Sequence, residues 1–146
     1  MVQYFTLSQA QRLIPEVERL LRDALFHKNE FQTAHDELER TTERIRMAGG
    51  SRVNPGALLS LRARRDTSAS ALQQVLEEIQ ETGALVKDLD IGLIDFMTMY
   101  RNREVCLCWK LGEDAIRFWH GAEEGFGGRK PIDQEFLDHH SGTSPN

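Results

Sequence analysis

Two cysteines one residue apart, Cys106 and Cys108, stand downstream of Asp88, Asp90 and Asp95 and upstream of His120, Glu123 and Glu124. Thiols, carboxylates and an imidazole are the side chains that ligate divalent metals or divide acid and base roles between them. Asp88, Asp90, His120, Glu123 and Glu124 are therefore candidate metal ligands, and a divalent ion is the cofactor they would take. Asp95, Cys108, Lys110 and His120 are the candidate catalytic set, in which a cysteine would need a neighbouring base or cation to become a nucleophile. No HExxH, no paired CxxC and no Walker loop accompanies them, so solvated acids around one hydrogen-bonded histidine are the commoner outcome of such spacing. Reduced, buried thiols acting as small apolar groups are likewise commoner than reactive ones. Further on, Gly125, Gly127, Gly128 and Arg129 could expose backbone amides and a cation to an anion, although a plain surface turn satisfies the same letters.

A sheet must position these residues. Gly92 to Tyr100 and Val105 to Leu111 read as strands, rich in β-branched, aromatic and apolar residues, joined at Arg101-Asn102-Arg103. If the turn has two residues, paired positions sum to an odd number and side chains sort by parity. Ile94, Phe96, Val105, Leu107, Trp109 and Leu111 then form a core face, while Asp95, Met97, Met99, Cys106, Cys108 and Lys110 lie opposite, where any chemistry would be. A third strand at Ala115 to Trp119 completes a small antiparallel meander. Trp109, Phe118, Trp119 and Phe126 could stack bases, but their alternation along strands points to core.

The first half of the chain is helical by pattern. Thr6 with Gln9 forms a capping box, with Phe5 placed to staple onto Ala10, and a first helix starts at Leu7. Pro15 is expected to end or kink it, since proline lacks an amide and crowds the preceding turn. A second helix then runs in sevens through Val17, Ala24, Phe31, Leu38 and Ile45, a coiled-coil-like seam. Gly49 and Gly50 stop it, Asn54-Pro55 starts the next, and Leu58, Arg65, Leu72 and Ile79 repeat the rhythm up to Gly83. His27 and His35 lie on or beside the seam, as hydrogen-bonded histidines rather than ligands. The expected fold is α+β: a kinked N-terminal helix, a long antiparallel helical hairpin and the meander at its base. Residues 1–137 would make one domain, helical over 7–83 and strand over 88–120, with 138–146 a disordered tail in which His139 and His140 dangle.

Composition bounds the function. The 146 residues are 40% apolar and 28% charged, typical of a globular domain, and no apolar run approaches a membrane span. Residues 1–11 lack a cationic start followed by an apolar stretch, and two cysteines make no disulfide framework, so a cytoplasmic location with no membrane partner is expected. The net charge of −5 conceals a segment from Arg40 to Arg65 with seven arginines, Arg40, Arg44, Arg46, Arg52, Arg62, Arg64 and Arg65, against the single acid Glu43. The hairpin should gather these at its tip. An acidic partner, the negative remainder of a second copy above all, or nucleic-acid phosphate would recognise it.

Tyr4-Phe5-Thr6, Leu13-Ile14-Pro15, Lys87-Asp88-Leu89-Asp90-Ile91-Gly92-Leu93-Ile94-Asp95-Phe96, Leu107-Cys108-Trp109-Lys110-Leu111-Gly112-Glu113, Trp119-His120 and Gly125-Phe126-Gly127-Gly128-Arg129 together resemble DUF2203, a bacterial family of unknown function. The resemblance supplies no activity or cofactor. It implies only that a binding site is to be sought in the strand half and its glycine loop, where the shared stretches lie. The function expected is a non-catalytic interaction or scaffold protein, a homodimer. The alternative is a small metal- or anion-binding enzyme with its site near Asp95, Cys108 and His120. A third reading is weak, sequence-independent nucleic-acid binding at Arg40, Arg44, Arg46, Arg62, Arg64 and Arg65.

Overall fold

A computed structural model describes residues 2–49 and 54–143. Gly50 and Arg52 of the expected hairpin turn, and 144–146 of the expected tail, lie outside the described residues. The architecture is α+β with a helical hairpin: α1 (Leu7–Met47) packs on α2 (Pro55–Glu81), and an antiparallel sheet follows.

The capping box closes in both directions, Gln9 N donating to Thr6 Oγ1 at 3.1 Å and Thr6 N to Gln9 Oε1 at 2.9 Å. Pro15 does not divide the helix as expected; α1 is one element of 41 residues with Pro15 inside it. An interior proline costs roughly 3 kcal/mol through its missing donor and ring clash. The packing of Ile14, Val17, Leu20 and Leu21, all buried, outweighs that local penalty. Asn54 caps α2 by accepting from Ala57 N at 3.2 Å. The chain leaves α2 through Gly83 at φ +95°, where an added Cβ would fall 2.6 Å from the Phe5 ring, so glycine is required on both counts.

The chain clusters into two compact units, Arg22–Leu76 and Met1–Leu21 with Glu77–Asn146. Within the helical unit the seam buries Ala24, Ala34, Leu38 and Leu61. Neither long helix is apolar enough to cross a membrane.

The other unit holds a six-stranded sheet rather than a three-stranded meander. Its strands are β1 (Leu85–Asp88), β2 (Leu93–Tyr100), β3 (Arg103–Lys110), β4 (Phe118–Gly121), β5 (Lys130–Pro131) and β6 (His140–Ser141). The order is β1-β2-β3-β4-β5, with β6 also on β2. Tyr100 pairs with Arg103, and Arg101 and Asn102 adopt φ of 51° and 65°, the two-residue turn with two left-handed positions that suits strand twist. The odd-sum register therefore holds, and Ile94, Phe96, Val105, Leu107 and Trp109 are buried on one face as expected, with Leu111 half-buried beyond the strand end.

The expected disordered tail is instead structured from Asp138 to Thr143. Asp133 caps α3 (Gln134–His139) by accepting from Phe136 N at 2.9 Å. Phe136 is buried in a stack with Tyr100, Trp119 and His140 at centroid distances of 4.8, 5.0 and 5.2 Å. His140 does not dangle: its Nε2 accepts from Leu7 N at 3.0 Å, and Thr143 N donates to Tyr4 O at 2.8 Å. These contacts join residues more than 130 positions apart in sequence, beyond the reach of any local pattern.

Candidate functional site

The antiparallel register brings four chemistry-bearing side chains onto one face of three adjacent strands. Asp95 on β2 faces Cys108 on β3, and Cys106 on β3 faces His120 on β4. One ligand-capable atom each of Asp95, Cys106 and His120 lies within 4.8 Å of the other two. Sequence parity alone would leave this face open; it is closed instead, with Asp95, Cys106, Cys108 and His120 exposed by 1%, 1%, 0% and 2%.

Hydrogen bonding fixes the imidazole. His120 Nδ1 stands 2.7 Å from the Gly121 carbonyl, which only accepts, so Nδ1 carries a proton. His120 Nε2 then faces the Asp95 carboxyl, 3.0 Å from Oδ1 and 2.9 Å from Oδ2. Only the Oδ1 approach has hydrogen-bond direction; Oδ2 is buried with no hydrogen-bond partner despite its short distance. Nε2 and the carboxyl oxygens are then facing acceptors, which a proton or another positive charge between them would satisfy.

Both thiols sit beside this carboxyl. Burial first, and then the Asp95 charge, push Cys106 up to about 12. Burial and Asp95 do the same for Cys108, to about 12, against an opposing pull from Arg129. Cys106 Sγ donates to Met97 Sδ at 3.5 Å. In this state both sulfurs are protonated and shielded, the reverse of what a nucleophile requires.

The other candidates do not converge on this cluster. Lys110 pairs with Leu93 across the strands, and its ammonium lies 5.5 Å from the centroid of the Phe126 ring. Asp88 closes its own turn, accepting from Asp90 N at 3.0 Å and Ile91 N at 3.3 Å, and Asp90 and Glu123 are exposed. Of the five candidate metal ligands only His120 enters the cluster. Cys106, absent from both candidate sets, belongs to it; its partner across β3 and β4 depends on a seven-residue connection, 111–117, whose register no local rule supplies.

The carboxylate of Glu124 occupies the space beside the glycine loop, held by groups on either side of it. Glu124 Oε1 accepts from Gly121 N at 2.9 Å and from Lys130 Nζ at 2.7 Å, while a Cβ on Gly128 would fall 2.6 Å from Glu124 Oε2. Arg129 is committed as well. Its Nη2 donates to Glu113 Oε1 at 2.6 Å and to Cys108 O at 3.3 Å, with the guanidinium over the Phe118 and Phe126 rings.

With the fold and the cluster placed, comparison with known proteins decides membership. The sequence matches Uncharacterized conserved protein (DUF2203) over residues 3–132. The chain belongs to this family. The matched span contains α1, α2, β1 to β5 and all four clustered side chains, and stops just before α3. No curated protein and no solved structure matches.

In the helical unit three arginines of the basic segment meet acids of their own chain. Arg64 lies 3.9 Å from both Glu30 and Glu37, Arg46 3.0 Å from Glu43, and Arg65 3.2 Å from Asp66. Arg65 shares a groove with Arg40 and Arg46, as antiparallel folding of the two helices requires. Glu30 and Glu37 precede the basic segment in sequence, and the hairpin brings Arg64 of that segment to them.

Proposed function

We propose that the protein is a non-catalytic cytoplasmic interaction protein that self-associates through its helical unit, the partner being a second copy of the chain. The observation that carries this reading is the exposure of large apolar side chains on that unit: Phe26, Leu59 and Met47 stand 60%, 64% and 80% open to solvent. Each of these side chains would gain roughly 25 cal/mol per Å² of apolar area removed from water if a second copy covered it. The seven-residue seam of α1 is already buried or half-buried within the chain, so the exposed apolar side chains lie outside it, and the basic segment complements the acidic remainder of another copy. The buried, protonated thiols support the non-catalytic half of the reading, since neither sulfur is available to a substrate.

Sedimentation equilibrium of the full chain at micromolar concentration tests it. A dimer is expected, and Phe26→Glu with Leu59→Glu should return it to monomer without loss of helical circular dichroism. A wild-type monomer throughout the concentration range refutes self-association.

A further inference from the structure

We infer that Asp95, Cys106, Cys108 and His120 form a closed site for one divalent, thiol-seeking metal ion of the zinc class. The inference stands on residues separate from those of the self-association reading.

The argument begins with an excess of acceptors. Once His120 Nδ1 donates to the Gly121 carbonyl, the Nε2 lone pair points at a carboxylate, and Asp95 Oδ2 is buried without any hydrogen bond. Two acceptors facing each other in a closed compartment require a positive charge between them, either a proton or a cation. Two sulfurs border the same carboxyl, which is more donor capacity than one shared proton uses.

The outer shell is already that of a metal-binding histidine. Such a residue usually donates its second ring nitrogen to a backbone carbonyl or a carboxylate, fixing the tautomer and the ring plane. The 2.7 Å bond from Nδ1 to Gly121 O does this for His120. The ligands come from three neighbouring strands, so their spacing is set by the sheet rather than by a loop.

Distances fit after small side-chain shifts. Ligands about 2.0–2.3 Å from a tetrahedral ion stand roughly 3.3–3.8 Å from one another. The observed His120–Asp95 separation of 2.9 Å and the 4.8 Å outer limit of the three-residue group bracket that range. Cys108, opposite Asp95 in the register, lies outside that three-residue group, and turning its Sγ toward the group supplies the fourth ligand. Two thiolates and an imidazole select zinc over magnesium or calcium, which prefer all-oxygen shells. Four protein ligands in a solvent-free compartment make the ion structural, with no open position for a substrate. On loading, each cysteine loses its thiol proton to solvent as the metal–sulfur bond forms, and a proton held between Asp95 and His120 leaves with them.

The test uses the untagged full chain, stripped with a chelator and titrated with Co2+ and then Zn2+. One equivalent of Co2+ is expected to give a sulfur-to-metal charge-transfer band and the visible bands of a tetrahedral ion, both erased by one equivalent of Zn2+. Zn2+ should also raise the melting temperature. Cys106→Ser and His120→Gln should each weaken binding by more than about 100-fold, whereas His139→Ala, at an exposed position, should leave it unchanged. A wild-type chain that stays folded yet shows no charge-transfer band and no zinc-dependent melting shift overturns the site. So does stoichiometric binding that survives Cys106→Ser and His120→Gln, which would reveal surface capture. If either variant fails to fold, the wild-type cobalt spectrum still decides the matter.

Discussion

His35 on α1 and His120 on β4 each stand about 3 Å from a carboxylate, and they show how burial turns one contact into two different things. His35 Nε2 lies 3.1 Å from Glu39 Oε1, with the side chains 36% and 70% exposed. His120 Nε2 lies 2.9 Å from Asp95 Oδ2, with exposures of 3% and 1%. The first pair is one helical turn long, set by i,i+4 spacing and solvated whether or not it forms. The second joins two strands that do not touch each other, across a third, and neither partner can fall back on water. Separation alone does not distinguish them; the surroundings do.

Breaking the buried pair should have the largest effect. Asp95→Ala removes the carboxyl that faces His120 Nε2 and leaves His120 with an unpaired nitrogen in a closed interior. Loss of one member of such a pair costs about 3–5 kcal/mol. Urea unfolding should show the unfolding free energy falling by that amount, and a loss below about 1 kcal/mol would mean that water reaches the site.

The thiols sharpen the same contrast through pH. In the folded chain both are pushed up to about 12 from 9.0. With the chain stripped of metal, their neutral state is common to folded and unfolded forms below pH 9, so they contribute no pH dependence there. Between pH 9 and 12 the unfolded thiols ionise and the folded ones do not, so stability must fall as pH rises through that window. Cys106→Ser with Cys108→Ser should flatten the fall. At pH 8 a soluble alkylating reagent should modify neither thiol until denaturant is added.

An intermediate case lies at Arg129 and Glu113, where the side chains are 11% and 25% exposed. Glu113 Oε1 accepts from both Arg129 Nη2 and Lys110 N, each at 2.6 Å. Glu113→Ala leaves Arg129 with the Cys108 carbonyl and a buried Nε that already lacks a partner. A loss of about 1–3 kcal/mol is expected, between the two extremes. Thermal unfolding of Glu113→Ala against Asp95→Ala tests that ranking.

How much of this was legible in the sequence follows the range of the contacts. The β2–β3 parity was readable because a two-residue turn fixes it, and that alone put Asp95, Cys106 and Cys108 on one face and sorted Ile94, Phe96, Leu107 and Trp109 to the other; which residue stands opposite Asp95 needed the turn at Arg101-Asn102. The capping box at Thr6 and the Asn54 cap were readable because three residues suffice to make each. Closure of the cluster was not, because it depends on β4 joining after a seven-residue connection and on burial of both sheet faces. Pro15 misled for the opposite reason: its local penalty is real, but Val17, Leu20 and Leu21 pack strongly enough to carry the helix through. The C-terminal segment looked polar because its anchors, Phe136 and His140, find their partners near the other end of the chain.

The exposed pair should respond least. Glu39→Ala removes the carboxylate that faces His35 Nε2, yet both groups keep most of their hydration, so water taking up the vacated hydrogen-bonding positions nearly offsets the loss of the ion pair. A change of less than about 0.5 kcal/mol in urea unfolding is expected. High salt should erase even that, since screening over a Debye length of about 3 Å at 1 M reaches a solvated pair and not a buried one. His35 also stacks on Phe31, with ring centroids 5.8 Å apart and planes 8° from parallel, and this stacking survives removal of Glu39. His35→Ala should therefore cost more than Glu39→Ala. The reverse order would show that the carboxylate, and not the ring stack, holds this histidine on the helix.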